Sequence, residues 1–229
     1  MGLFFKGIPD SVLHSVKDEL GPSFVAIESG TFKGTSAKKL SLIAHHVTTI
    51  EANESLFAKA KKSLSKYENI TLEYGDSGLL IGSVLPEDHV NCLIWLDAHY
   101  SGGNTAGVLD HCPLLNELRQ ILPSRMASNT VILIDDSRGL IGKSGWPLLS
   151  ELIGLLNESG FSAIIIDDVL VASSIESLGT IADGFSRSRT FTFERLGGRM
   201  TLVTGLIRSL GFFTSIAFKV KYSNLLSKK

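Results

Sequence analysis

The stretch CLIWLDAHYSGGNT, residues 92–105, passes from an apolar segment directly into a polar one. Its first five residues are all apolar, which is typical of a strand that is buried on both faces of a sheet. Asp97 and His99 follow at once, and two glycines then favour a loop. A buried strand that ends in an acid and an imidazole predicts a functional site at the carboxyl end of a parallel strand.

The same alternation extends from residue 23 to about residue 172. Apolar, β-rich segments alternate with amphipathic helical ones, as in the spacing of Leu114, Leu118 and Ile121. The predicted strands cover residues 23–29, 47–52, 69–74, 91–97, 130–136, 161–167 and 169–173. This pattern predicts an α/β fold, with a doubly wound, mostly parallel seven-stranded sheet and helices on both faces.

Composition limits the classes of partner. The chain has 229 residues, 44% of them hydrophobic, and 22 Lys and Arg against 23 Asp and Glu, so no nucleic-acid partner is expected. Cys92 and Cys112 lack a CxxC partner, which argues against zinc and predicts reduced thiols. The amino-terminal segment is too short for a signal peptide and lacks the myristoylation pattern, so a cytoplasmic protein is expected.

Acidic residues end most of the predicted strands or lie just past them. Because the carboxyl ends of parallel strands share one edge of the sheet, these residues are predicted to line one crevice. They are Glu28, Glu51, Asp76, Asp97, Asp135 and Asp136.

The loop after the first strand reads ESGTFKGTS, residues 28–36. Its glycines, Gly30 and Gly34, permit positive φ and close approach of a ligand to the backbone. The GxGxxG pattern of dinucleotide sites is missing, and Glu28 favours a ligand with a cationic or amino-acid portion. A glycine turn that binds nothing is the alternative.

Two further strand-end acids have distinct predicted roles. Glu51 is placed to accept hydrogen bonds from both hydroxyls of a ribose, and Asp76 from the exocyclic amine of adenine. The alternatives are a solvated acid at position 51 and a helix N-cap at position 76.

These segments resemble the nucleotide site of class I S-adenosylmethionine-dependent methyltransferases. In addition, WLDAHYSGGNTAG (95–107), CPLLNEL (112–118) and VILIDDSRG (131–139) are similar to a bacterial group within that superfamily. The sequence departs from the family at Phe32, where a glycine is usual. The resemblance implies S-adenosylmethionine as cofactor, with its methionine part held by the first loop. The implied binding residues are Glu28, Gly30, Thr31, Gly34, Glu51, Ala52, Asp76, Ser77 and Asp97.

A magnesium site is predicted from three of the acids, Asp97, Asp135 and Asp136. Two unit charges about 4 Å apart repel by roughly 4 kcal/mol at an effective dielectric constant near 20, so a cation, protonation or a basic side chain such as Arg138 must neutralise them. Mg²⁺ prefers such oxygen ligands, and the arrangement also resembles metal-dependent O-methyltransferases that act on catechols and macrolide sugars. The alternative is that Arg138 pairs with Asp135 while Asp136 caps the next segment.

His99 and Asp97 are the predicted catalytic residues, since O-methylation requires removal of a proton from the acceptor hydroxyl. A small hydroxylated acceptor, such as a sugar, is the expected substrate. Arg138 and Lys143, in the loop 137–146, are placed to meet an anionic group. Two alternatives stay open: a non-catalytic S-adenosylmethionine-binding or membrane-associated module, and an NAD(P)-dependent oxidoreductase. The oxidoreductase is disfavoured because a Tyr-x-x-x-Lys pair is also missing.

The predicted domain spans residues 1–172, and residues 173–229 form a basic, apolar extension. From Arg187 onward there are nine basic residues and one acidic residue. Residues 173–190 are predicted to be irregular. The segment 199–229 is too short in its uncharged part to span a bilayer. It is expected either to lie on a membrane surface as an interfacial helix, or to pack on the sheet or at a homodimer interface.

Overall fold

The computed structural model describes residues 8–98 and 112–195. Seven strands form one sheet: β1 (Val25–Ser29), β2 (His46–Glu51), β3 (Ile70–Tyr74), β4 (Cys92–Leu96), β5 (Thr130–Ile134), β6 (Ser162–Ile166) and β7 (Val169–Ser173). The helices are α1 (Asp10–Leu20), α2 (Thr35–Ser41), α3 (Glu54–Leu64), α4 (Ser77–Leu80), α5 (Leu114–Ile121), α6 (Leu149–Glu158) and α7 (Ile175–Arg195). Short 3-10 helices cover Ile81–Val84, Leu122–Ser124 and Ser137–Ile141.

The strand order is β3-β2-β1-β4-β5-β7-β6. β1 to β5 pair in parallel, whereas β7 lies antiparallel to both β5 and β6. The order therefore reverses between β1 and β4, and ligands of doubly wound sheets bind at such a switch point. The predicted fold class is confirmed.

Helices cover both faces of the sheet, as predicted. One core cluster packs Trp95 and Val131 against α1, α2 and α7. The other packs Ile94 and Ile132 against α5 and α6. Successive side chains of a strand point to opposite faces, so nearly every residue of β4 and β5 must be apolar. All ten of them are buried.

The prediction of an irregular segment after residue 173 is wrong for Ile175–Arg195, which form α7. Serine, threonine and glycine are frequent in this helix and weaken its local helical preference. Tertiary packing compensates, because Leu178 and Ile181 are buried in the same cluster as Val12 and Val16 of α1. In the described ranges, no helix is long and apolar enough to cross a membrane.

A buried arginine holds the amino-terminal edge of the sheet. Arg125 is 4% exposed. Its guanidinium donates to the carbonyl oxygens of Glu87 (2.6 Å) and Pro86 (3.2 Å), to that of Val90, and to Thr130 Oγ1 (3.1 Å). The loop before β4 is thereby fastened to the start of β5, at the edge opposite the acidic residues.

Candidate functional site

The carboxyl edge of the sheet brings four acids to one face. Strand pairing continues past β4 and β5, since Asp97 N donates to Ser29 O and Asp135 N to Leu96 O, each over 3.1 Å. The alternation of side chains therefore also continues, and it places Asp97 and Asp135 on the face of Trp95 and Leu133. Glu28 and Glu51 reach the same face from β1 and β2. Glu28 follows Ala26 by two residues and Glu51 follows Val47 by four, so each acid points to the same side of the sheet as these two residues, which belong to the same core cluster as Trp95.

Gly30 allows the ends of β1 and β4 to touch. Its φ is +85°, and a Cβ at this position would lie 2.6 Å from the carbonyl oxygen of Asp97. Any side chain would clash with backbone rather than with a movable group. The close approach therefore requires glycine, and it draws the loop after β1 against Asp97.

Glu28 is a buried carboxyl group beneath this loop. It is 1% exposed, and Thr49 Oγ1 donates to its Oε2 over 2.6 Å. The hydroxyl of Thr31 lies 2.6 Å from that of Thr49, so a chain of polar atoms leads from the loop to the acid. Burial, and to a lesser extent the carboxylate of Glu51, raises the pKa of Glu28 to about 8. At neutral pH the group is therefore mostly uncharged until a positive charge approaches.

Glu51 ends β2 and is 6% exposed. Its Oε2 accepts from the backbone amide of Phe32 over 2.7 Å, and its Oε1 from the amide of Asn53 over 2.9 Å. Phe32 has a φ of +47°. The backbone of the loop after β1 is therefore hydrogen-bonded to Glu51. Nothing in the structure tests the contact between Glu51 and a ribose, which stays a prediction.

Asp76 is the N-cap of α4, because its Oδ1 accepts from Gly78 N over 2.8 Å. This confirms the alternative interpretation, which is compatible with an adenine contact through the second oxygen. Ala52 is exposed and Ser77 is buried. A Cβ at Gly78 would lie 3.3 Å from Pro113 Cβ, so the end of β3 and the start of α5 are neighbours.

The acids after β4 and β5 influence one another. Burial, followed by the carboxylates of Asp135, Glu28 and Asp136, raises the pKa of Asp97 well above its ordinary value. Asp136 has a φ of +53°, so the chain turns as soon as β5 ends.

The basic residue in this region is Arg138. Its guanidinium forms ion pairs with Asp136 and with Asp168, which lies in the turn between β6 and β7. The backbone amide of Arg138 also donates to Asp168 Oδ1 over 2.9 Å. The sequence-based alternative paired Arg138 with Asp135; the structure shows Asp136 and Asp168 as its partners.

Two of the three predicted magnesium ligands, Asp135 and Asp136, already have partners within the protein. Asp135 Oδ1 accepts from the amide of Asp136 over 2.8 Å, and the carboxylate of Asp136 faces Arg138. Within residues 8–98 and 112–195, no group of three or more His, Cys, Asp or Glu side chains is placed to hold a metal ion. The described residues by themselves therefore do not form a complete magnesium site, and Mg²⁺ binding stays a prediction. His99 lies outside the described residues.

A pocket that the sequence did not predict opens between the ends of β4 and β5 and helix α5. The space between its walls is about 210 Å³ when open solvent is counted, and it has room for about one water molecule. Its walls are formed by Leu96, Ala98, Cys112, Pro113, Leu114, Glu117, Ile134, Asp135 and Trp146. Glu117 is 1% exposed. Its spacing from Leu114 and Ile121 places a charge on the apolar side of an amphipathic helix, and that anomaly could have revealed it.

No protein-family model matches this sequence, and no curated protein matches it either. Solved structures do match. One, from Staphylococcus aureus, is designated a caffeoyl-CoA O-methyltransferase; it has 19% identity and a TM-score of 0.52, over 72% of this chain and 81% of that one. The O-methyltransferase TomG of Streptomyces achromogenes, in complex with S-adenosylmethionine, has 17% identity and a TM-score of 0.53, over 72% and 79%.

The chain has the methyltransferase fold. An rRNA methylase of Streptococcus thermophilus shares it as well, with 16% identity and a TM-score of 0.51, over 76% of this chain and 99% of that one. The names of these three proteins include both small-molecule and RNA acceptors. The methyltransferase fold therefore does not identify the acceptor, which has to be inferred from the residues of the site.

Proposed function

We propose that the chain is an S-adenosylmethionine-dependent methyltransferase that acts on a hydroxyl group of a small acceptor. The observation that carries this proposal is the contact between Gly30 and Asp97. Glu28 lies close enough to Glu51 and to Asp97 for the charges of these acids to influence one another. Four acids on this face suit a ligand that carries a sulfonium, an ammonium group and a ribose.

Three sets of described residues are the candidates for contacts with such a ligand. Glu51 is the candidate for the ribose hydroxyls, and Asp76, with Ser77 and Ala52, for the adenine. The loop residues Gly30, Thr31 and Gly34 are the candidates for the methionine part, above the carboxyl group of Glu28. When bound, S-adenosylmethionine supplies an electrophilic methyl group that an acceptor oxygen can attack.

Asp97 is the residue of this chain that we assign to proton transfer. The acceptor hydroxyl becomes nucleophilic when its proton passes to a carboxylate oxygen of Asp97, which lies next to the cofactor residues. His99 follows two residues later and is the second candidate base. Mg²⁺ assistance stays a prediction.

Calorimetry tests the cofactor part of the proposal. S-adenosylmethionine and S-adenosylhomocysteine should both bind to the wild-type protein, and Glu51→Ala should weaken both by about tenfold or more, because a charged acceptor of hydrogen bonds is removed. Glu54→Ala is the matched control, since Glu54 is exposed in the first turn of α3. Absence of binding by the wild-type protein would refute the proposal.

A further inference from the structure

Strand β6 forms an open edge of the sheet. It is last in the strand order and, among the described residues, it pairs only with β7. The edge of a sheet carries unpaired amide and carbonyl groups, and proteins usually protect it with a charge, a proline, a bulge or a covering segment. The sequence of β6 is SAIII, paired residue for residue with β7, so the first three devices are missing from it. The edge of β6 is therefore suited to pairing with a further strand.

The turn after β6 determines which backbone groups of the strand point outward. Asp167 and Asp168 separate β6 from β7, and both have a positive φ, as in a type I′ hairpin turn. Such a turn closes with a hydrogen bond between its flanking residues, so Ile166 bonds to β7. Bonded and outward-pointing residues alternate along an antiparallel pair. The amides and carbonyls of Ala163 and Ile165 therefore point away from the sheet.

The two faces of the sheet differ in character beside this edge. The side chain of Ile165 is 52% exposed and points to the same face as Ala163, which packs against the core cluster that includes α6. The opposite face is covered by α7. The described side chains of α7, residues 175–186, include two exposed acids, Glu176 and Asp183, and no base. A strand added at this edge would have an exposed isoleucine on one side and an acidic helix on the other.

A segment beyond the described residues has a sequence that matches both faces. Residues 216–222 read IAFKVKY. Their first, third, fifth and seventh positions are Ile, Phe, Val and Tyr, which are residues of high β propensity at the period of a strand. The positions between them hold an alanine, Lys219 and Lys221. As a strand, this segment would present an apolar row on one face and two positive charges on the other.

The chain after α7 is long enough to reach the edge of β6. Leu178 and Ile181 of α7 pack in the same cluster as Ile166 at the end of β6, so the helix lies on this side of the sheet. The described part of α7 ends at Arg195. Residues 196–215 are the twenty residues that follow, and an extended chain of that length spans up to about 65 Å. The connection therefore places no limit on pairing between the segment and β6.

We propose that residues 216–222 form an eighth strand that pairs with the outer edge of β6 within the same chain. The apolar row lies on the side of Ile165 and α6, and Lys219 and Lys221 lie on the side of α7. The segment occupies the edge in place of a second copy of the chain, and its apolar row is buried on the protein and not in a membrane. This inference is independent of the proposed methyltransferase function.

Residue-resolved hydrogen exchange of the whole chain tests the pairing. The amides of Ala163 and Ile165 should exchange slowly, because the added strand accepts a hydrogen bond from each. The double variant Lys219→Pro/Val220→Pro removes the donor at one bonded position, whichever of the two faces β6. It should speed exchange of both amides by about tenfold or more, while the amide of Ile166, bonded to β7, changes much less. Fast exchange of Ala163 and Ile165 in the wild-type chain would overturn the proposal.

Two serine substitutions distinguish a strand from other conformations of the segment. Phe218→Ser should speed exchange at Ala163 and Ile165 by about tenfold, because it removes an apolar side chain from the row beside Ile165. Lys219→Ser, the next residue and in the other row, is the matched control and should leave this exchange nearly unchanged. Equal effects of the two substitutions would overturn the strand assignment. If the proline variant does not fold, this pair of variants decides.

Two other occupants of the edge have distinct outcomes. Pairing with a second copy would give a dimer by sedimentation equilibrium, and its dissociation on dilution would speed exchange at Ala163 and Ile165. A membrane-bound segment would make the chain sediment with vesicles of phosphatidylcholine and phosphatidylserine, and the same two amides would exchange fast without vesicles. Either result would overturn the proposal. Slow exchange that is independent of concentration and of vesicles supports it.

Discussion

The backbone amide of Phe32 donates a 2.7 Å hydrogen bond to Glu51 Oε2, which ties the loop after β1 to the end of β2. Phe32 adopts a left-handed conformation with a φ of +47°, and its side chain is 48% exposed. The hydrogen bond to Glu51 is thus made by a residue whose left-handed conformation is unfavourable and which is only about half buried. A ligand that uses both oxygens of Glu51 must share them with the amides of Phe32 and Asn53.

Phe32→Gly should raise the free energy of unfolding by about 0.5–1 kcal/mol, since the left-handed conformation costs about 1–2 kcal/mol for a residue with a Cβ and the greater freedom of glycine in the unfolded chain offsets part of the gain. Urea unfolding measures the change. Gly34→Ala is the opposed control, because φ is +71° there and a Cβ would lie 2.8 Å from Leu64. It should destabilise the protein, and a destabilised Phe32→Gly would contradict the reading of strain.

Glu28→Gln should flatten the pH dependence of stability between about pH 5 and pH 8. The pKa of Glu28 rises from 4.5 to about 8 on folding, so in this window the folded state holds a proton that the unfolded state has lost. The contribution of Glu28 to stability is complete below pH 4.5 and is lost as the pH rises towards 8, by about 1.4 kcal/mol per pH unit. Urea titrations of both proteins across this range provide the test, and identical slopes would show that Glu28 is ionised when folded.

Asp97→Asn should separate turnover from cofactor binding. If Asp97 accepts the acceptor proton, its loss should lower kcat by about 100-fold or more while the affinity for S-adenosylhomocysteine changes little. Glu51→Ala should show the reverse pattern. A single-turnover methylation assay and calorimetry provide the two readouts. Repeating the assay with Mg²⁺ and with EDTA tests the magnesium prediction, which fails if the two rates agree.

Arg125→Ala should lower the free energy of unfolding by about 3 kcal/mol or more. The substitution would leave buried carbonyl groups, including those of Glu87 and Val90, without their donor, and each such group costs about 1–3 kcal/mol. Arg119→Ala, on the exposed side of α5, should change stability by less than about 0.5 kcal/mol. Similar losses in the two variants would mean that the guanidinium contacts contribute little.

Local pattern was sufficient for the strands but not for all of the helices. Five consecutive apolar residues in β4, repeated in the other strands and alternating with amphipathic helices, favour a parallel sheet covered on both faces, so the sheet follows from local pattern. Helix α7 could not be predicted in this way, because its serines and glycines are helical only where Leu178 and Ile181 find a core. The antiparallel pairing of β6 and β7 follows from the two residues between them, whereas the pairing of β7 with β5 depends on tertiary structure.

The site was predictable as a location but not as a set of contacts. Acids at strand ends must meet at one edge when the strands are parallel, and Glu28, Glu51 and Asp97 do meet there. The partners of Asp136 were not predictable, because Arg138 and Asp168 reach it from different segments. Glu117 was missed because the spacing of its helix was interpreted only for its apolar residues.

Taken by itself, the sequence determined the α/β class, the approximate positions of the seven strands and the row of acids at their ends, because side-chain periodicity and burial act over a few neighbouring residues. Tertiary structure alone decided which charges neutralise one another, how the Phe32 loop lies on Glu51 and that Trp146 and Glu117 enclose a pocket. Those outcomes depend on distances between segments remote in the chain, and only packing sets such distances.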